Sequence, residues 1–264
     1  MTKKNKVLTI ILSVLSVVVL IIVLSSTIFT VGKIEVRWQS ETDNLSMVSE
    51  QSIVDASEIT LGTNVFFVNK SEAVDKLEQA YPYIAITNIE TLFPNTLIIH
   101  ARERTEVFAL QLSSKYLLVD SDFKVLKIMN GDFTSLDTNA IKVTGEFDLS
   151  NYIAGDFITP DIDLACFTTL QKSFYENYTA DEGENALTDM LDLLKSATYT
   201  DTKIVFETFM GVKIEMYNPS YKQQEKVAMI YQVLNTLDTA QKSIGTIIIG
   251  DRDNLVQGSY TANV

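Results

Sequence analysis

Residues 7–31 read VLTIILSVLSVVVLIIVLSSTIFTV, and no charged side chain occurs in the 26 residues between Lys6 and Lys33. A helix of about 20 apolar residues rising roughly 1.5 Å each covers a bilayer core of some 30 Å. The run is longer than the apolar region of a cleaved secretion signal and ends Ser25-Ser26-Thr27-Ile28-Phe29, without a small-x-small site. It predicts an uncleaved transmembrane helix over 7–31. Lys3, Lys4 and Lys6 crowd the short N-terminal end, so residues 1–6 are expected in the cytoplasm and the long C-terminal part outside, a single-pass type II arrangement.

Residues 33–264 suffice for one large or two small domains. The chain carries a net charge of -13; the first 32 residues contribute +3, which leaves -16 on the exterior part. Such a surface repels nucleic acid and anionic head groups, and neither is expected as a partner. The single cysteine, Cys166, cannot close an intrachain disulfide, so the exterior must be stable through its core alone. Asn-x-Ser/Thr triplets at Asn44, Asn69 and Asn177 occur at the spacing of coincidence.

Going outward from the anchor, Lys33–Trp38 alternates with Ile34, Val36 and Trp38 on one side, the period of a strand. Ser49 can cap a short helix through Ser57. Asn69-Lys70-Ser71-Glu72 has capping-box spacing before an apolar stripe of Ala73, Val74, Leu77, Ala80 and Tyr81, which Pro82 ends. Tyr83–Leu92 and Leu97–Glu103 read as two strands joined at Phe93-Pro94-Asn95-Thr96, with His100, Arg102 and Arg104 on the outward face of the second.

Strand, helix, helix, strand, strand in this order, the run Gly62–Asn69, the turn Phe93–Leu97 and Glu103-Arg104 resemble the POTRA domain of the FtsQ/DivIB family of bacterial division proteins. Tyr116–Asp120 followed by Val125-Leu126 is similar to the hairpin that opens the family's second, β-rich domain, with Phe123 where the family usually has Gly. Further on, Ile141–Val143 reads as a strand and Ala154–Phe157 as a turn. Leu164 to Tyr178, then Leu187, Met190, Leu191 and Leu194, keep helical spacing, with Ala180–Glu184 as a loop between them. Ile204–Glu207 and Val212–Tyr217 form a hairpin around Gly211; Tyr221–Leu237 is the clearest helix, with Val227, Ile230, Leu234 and Leu237 on one stripe. Gly245–Gly250 and Leu255–Tyr260 close the chain as two strands. The resemblance implies an α+β chain: one N-terminal transmembrane helix, a POTRA domain over 33–105 and a β-rich domain with flanking helices over 106–264.

The residues supply little for an enzyme. Ser121-Asp122-Phe123-Lys124 has the S-x-x-K spacing of penicillin-recognising acyl transferases, but it falls in a hairpin turn and lacks S-D-N and K-T-G partners. His100 is the only histidine, which removes most triads and zinc sites. Asp161 with Asp163, and Asp251 with Asp253, fall short of the oxygen ligands calcium takes. Cys166 sits on a helical stripe with no base to activate it. No catalytic, cofactor-binding or metal-binding residue is expected, and no small-molecule substrate.

Function must then lie in surfaces. Open sheet edges accept a partner segment as an added strand, and if Leu255–Tyr260 is the last strand, Leu255, Val256 and Tyr260 are its expected apolar anchors with Arg252 at the rim. The resemblance implies a scaffold or regulator of septal peptidoglycan synthesis that binds FtsL-like and FtsB/DivIC-like bitopic proteins and acts within the septal peptidoglycan synthase complex. The strand ending in Tyr260 resembles the family's partner-binding strand. Two rivals are a membrane-anchored cell-wall acyl transferase or hydrolase using Ser121, and a single-POTRA component of a secretion apparatus.

Overall fold

The computed structural model describes residues 3–39, 48–133, 138–159, 162–180, 190–200 and 202–262. The chain divides into two compact units, Met1–Arg104 and Thr105–Val264. Asn44, Asp161 and Leu187, which entered the sequence reading, lie outside the described residues.

The first unit begins with helix α1, Lys3–Ile28. Among the described residues no helix is long and apolar enough to cross a membrane. Within α1 the described side chains run unbroken from 11 to 20, and all are exposed. Beyond it come β1 (Lys33–Trp38), α2 (Glu50–Ala56), α3 (Lys70–Ala80), β2 (Ile84–Leu92) and β3 (Thr96–Glu103), in the order read from the sequence. The sheet runs β1-β3-β2, with β1 parallel and β2 antiparallel to β3.

Local chemistry accounts for these boundaries. Ser49 accepts the Ser52 N–H at 3.1 Å and starts α2, and Asn69 accepts the Glu72 N–H at 3.3 Å and starts α3. The return arm of the predicted capping box differs. Glu72 accepts from the Asn69 side-chain amide at 3.1 Å and pairs with Lys76 instead of reaching the backbone. Ile53, Ala73 and Leu77 then pack on Val36, Ile84, Ile89 and Ile99 of the sheet, forming this unit's core.

Arg104 departs from its expected outward face. It is 5% exposed and its guanidinium donates at 2.9 Å to Glu78 of α3, whose other oxygen accepts the Ile86 N–H at 2.9 Å. Once β3 has ended at Glu103, the strand's alternation no longer fixes where the next side chain points.

The second unit is a nine-stranded mixed sheet: β4 (Phe108–Leu112), β5 (Lys115–Val119), β6 (Val125–Asn130), β7 (Ile141–Thr144), β8 (Leu194–Thr200), β9 (Lys203–Thr208), β10 (Lys213–Tyr217), β11 (Thr246–Arg252) and β12 (Leu255–Thr261). Their order across it is β12-β11-β10-β9-β8-β7-β4-β5-β6. Two long helices, α4 (Ile162–Ala180) and α6 (Gln223–Thr236), lay Leu164, Phe167, Leu170, Phe174, Val227, Ile230 and Leu234 onto one face. Between them in sequence comes the short helix α5 (Met190–Leu193), and α7 (Thr239–Ser243) follows α6.

Helical spacing holds for Met190 and Leu191, which lie in α5, but not for Leu194. Leu194 opens β8, which joins β7 in parallel and β9 antiparallel, so the middle of the sheet depends on a strand that the helical spacing does not reveal. Strand β4 was likewise unread.

Phe123 adopts φ 59 yet is only 1% exposed, and its ring stacks on Phe108 at 5.7 Å. A left-handed residue with a Cβ costs about 1–2 kcal/mol, whereas deleting a buried Phe side chain costs about 3–5 kcal/mol. Packing therefore outweighs strain. Phe123→Gly is expected to lower stability by about 2–3 kcal/mol in urea unfolding of the second unit; equal or greater stability would show that the turn, and not the core, sets this residue.

Candidate functional site

The C-terminal end of the nine-stranded sheet is built from β10, α6, β11 and β12. Strands β10 and β11 are parallel, and α6 lies in the connection between them. From β11 the chain reverses through Asp253 and Asn254, at φ 52 and φ 62, and Arg252 pairs with Leu255 across the turn. Two successive left-handed residues make the tight hairpin turn whose twist matches antiparallel strands, and Asp and Asn tolerate that conformation best after Gly.

The hairpin is held from behind. Lys226 of α6 is fully buried and its ammonium donates to the Tyr217 and Asn218 carbonyls at 2.9 and 2.8 Å and to Asp251 at 3.1 Å. Burial pushes the Lys226 pKa down, while Asp251 opposes that shift. Lys222 donates to the Asn254 carbonyl at 2.6 Å. Strand β12 also lies close under α6: a Cβ added to Gly258 would come within 2.8 Å of Met229 and Val233, so only glycine allows this approach.

Alternation divides the four residues expected to contact a partner. Val256 and Tyr260 turn inward and pack against the core, and the Tyr260 hydroxyl donates to the Ile244 carbonyl at 3.1 Å. Leu255 turns outward and is 66% exposed, and the Arg252 side chain is exposed beside Asp253. Gln257, Ser259 and Thr261 share the outward side with Leu255. Successive strand residues point to opposite faces, so Leu255 and Val256 do not act on one surface. What β12 presents along its free margin is backbone: every second residue of an antiparallel strand directs its N–H and C=O away from its partner.

Comparison of the sheet edges singles this strand out. Exposed edges are normally blunted by charge, bulges or covering segments. In the first unit, β1 carries Lys33, Glu35 and Arg37 in a chain of ion pairs, and β2 has a register shift between Ile86 and Asn88. At the far end of the large sheet, β6 carries Lys127, and Val125 exchanges backbone hydrogen bonds with Gly155 and Asp156. Strand β12 is uncharged, keeps continuous register over seven pairs with β11, and pairs with no other strand among the described residues.

The residues weighed for chemistry are scattered. Ser121 lies in the turn whose backbone is tied by Asp120, not at the start of a helix, and the Lys124 ammonium sits over the Phe157 ring at 4.2 Å. His100 faces Glu90 at 3.1 Å on the surface of β3. Cys166 is buried in α4. Among the described residues no three His, Cys, Asp or Glu side chains are grouped to hold a metal ion.

Residues 42–104 match the family model of the FtsQ-type POTRA domain. The chain is 29% identical over 99 residues to the cell division protein DivIB of Clostridium tetani, covering 38% of this chain and 35% of that protein. It is 23% identical over 205 residues to DivIB of Clostridium acetobutylicum, covering 68% and 79% respectively. DivIB of Clostridium botulinum strain Hall is 23% identical over 175 residues, covering 56% and 68%. The match thus spans about a third of the C. tetani protein and roughly four fifths of the C. acetobutylicum one.

Proposed function

We propose that this chain, a cell division protein of the FtsQ/DivIB type, works without catalysis as a membrane-anchored adaptor whose β12 edge receives a strand from a partner. The observation that carries this reading is the contrast among edges: among the described residues, β12 is the edge strand that carries no charge and no break in register and pairs with a single strand. A docked segment gains main-chain hydrogen bonds along seven residues, and the outward Leu255 offers one apolar contact with Arg252 at its rim. The partners that the family resemblance suggests are FtsL-like and FtsB/DivIC-like bitopic proteins, through which the chain would regulate septal peptidoglycan synthesis.

Such an adaptor must be held at the membrane, and α1 supplies the means. Its sequence is uncharged from Val7 to Ile28, enough residues for roughly 30 Å of helix, and Ile11, Val14, Leu15 and Val18 are exposed. The three N-terminal lysines keep that end in the cytoplasm and send both units outside.

A fluorescent fusion is expected to gather in a band at the division septum. Leu15→Arg places a charge mid-span at a cost of about 2.5–3.5 kcal/mol and should remove the band by impairing insertion. Scattered foci from the unaltered fusion would contradict the division role, and normal membrane recovery of Leu15→Arg would contradict the span.

A further inference from the structure

An exposed apolar cluster lies where the chain leaves α1. Phe29 follows the last helical residue, Ile28, and its ring meets Phe66 at 5.6 Å and Phe93 at 5.9 Å, while Phe66 and Phe93 meet each other at 5.6 Å. These rings come from three separate segments, and they do not form a buried core. Phe66 is 60%, Phe93 56% and Phe67 82% exposed, whereas Val65 beside them is buried.

Backbone bonds fix this cluster to the foot of the anchor. The Val65 N–H donates to the Phe29 carbonyl at 2.9 Å, Val31 to Thr63 at 2.8 Å, and Gly32 to Asn95 at 2.8 Å. Both loops are thus stitched to residues one to four positions past the helix end. Extended chain covers at most about 3.6 Å per residue, so no part of the stitching lies more than about 15 Å from that end. The two loops themselves carry no charge: residues 59–69 and 91–99 contain no Asp, Glu, Lys or Arg, in an exterior that is otherwise strongly acidic, and the charges that adjoin them, Lys33 beside Asn95 and Glu58, Glu72 and Lys76 beside Phe67, stand on neighbouring segments.

We infer that Phe29, Phe66, Phe67 and Phe93 form a foot seated in the interfacial layer of the lipid bilayer, which fixes the first unit's orientation on the membrane. The inference rests on the proposed membrane anchor. If α1 spans the bilayer core, its end at Ile28 lies at the outer boundary of the hydrocarbon, and the head-group layer beyond it is only about 5–8 Å thick. Rings attached one residue further on cannot avoid that layer. Uncharged, ring-bearing loops of this kind suit lipid, since exposed apolar patches on soluble faces mark binding sites and aromatic residues concentrate at membrane interfaces. Anionic head groups are not required, which agrees with the chain's acidity.

The test uses the full chain in phosphatidylcholine vesicles, in a Trp38→Phe background that leaves one reporter tryptophan at a time. Phe67→Trp, and separately Phe93→Trp, should emit blue-shifted and lose most of their intensity to lipids brominated near the head group. Leu15→Trp should be quenched by lipids brominated deep in the acyl chain. If Leu15→Trp is not quenched, the anchor fails and the foot fails with it. If Leu15→Trp is quenched while the Phe67 and Phe93 reporters emit like tryptophan in water, the foot alone is overturned. Blue-shifted emission from them that no brominated lipid quenches would also overturn it, because a protein surface, either a second copy or another subunit, would then cover the rings.

Discussion

Removing residues 255–264 is expected to abolish capture of a DivIC-like partner segment while leaving the first unit folded. Half of the residues of a seven-residue edge strand direct their backbone groups outward, so at least three main-chain hydrogen bonds disappear with it. At about 1 kcal/mol net each, the loss is about 3 kcal/mol or more, at least a hundredfold in affinity. The cut belongs after Asn254, because a cut after Gly250 would also remove Asp251 and leave the buried Lys226 ammonium without its carboxylate. A buried charge stripped of its partner costs about 3–5 kcal/mol by itself and would confuse misfolding with lost docking. Co-purification at undiminished yield after the shorter truncation would reject the edge as the docking site.

Glu78→Ala is expected to destabilise the first unit by about 3–5 kcal/mol, the largest single-residue effect anticipated for this chain. Glu78 closes the end of the sheet in two ways: one oxygen takes the Arg104 guanidinium and the other takes the Ile86 N–H. With the carboxylate gone, both donors stay buried and lose the acceptor that Glu78 supplied. A Glu78→Met, Arg104→Leu double variant removes charge and donor together and should recover most of the loss, since apolar replacements of buried ion pairs are often neutral or stabilising. Trp38, the only tryptophan, packs against the core of the same unit and reports its urea unfolding by fluorescence. A loss below about 1 kcal/mol in Glu78→Ala would mean that water already reaches the pair.

Local signals in the sequence carried most of the first unit. Ser49 and Asn69 are caps whose chemistry acts within three residues, and the stripe of Ala73 and Leu77 needs only helical period to be seen. Arg104 was misplaced because its partner is 26 residues away on another element. In the second unit the difficulty is β8: Leu194 and Ala197 turn inward three residues apart, across an irregularity in register between Leu194 and Ser196, which imitates a helical spacing. Lys226 carried a signal that went unused, since it lies four residues before Ile230 on the stripe that faces the sheet.

At the proposed docking edge, the strand itself is legible in the sequence and so is the division of its faces. Val256, Gly258 and Tyr260 alternate with Leu255, Gln257 and Ser259, so strict period two already separates the side that packs from the side that faces solvent. Asp253-Asn254 between two apolar runs was also a hairpin signal. What could not be read from order alone is that β12 ends the sheet, because strand order follows from pairings between distant segments such as β4 with β7.

Amide hydrogen exchange along β12, measured with and without the extracytoplasmic segment of a DivIC-like partner, tests the docking edge most directly. Alternate amides across residues 255–261, exchanging freely in the chain alone, should become protected on binding, while those of β6 keep their rates. Tight binding with unchanged exchange along β12 would contradict the account.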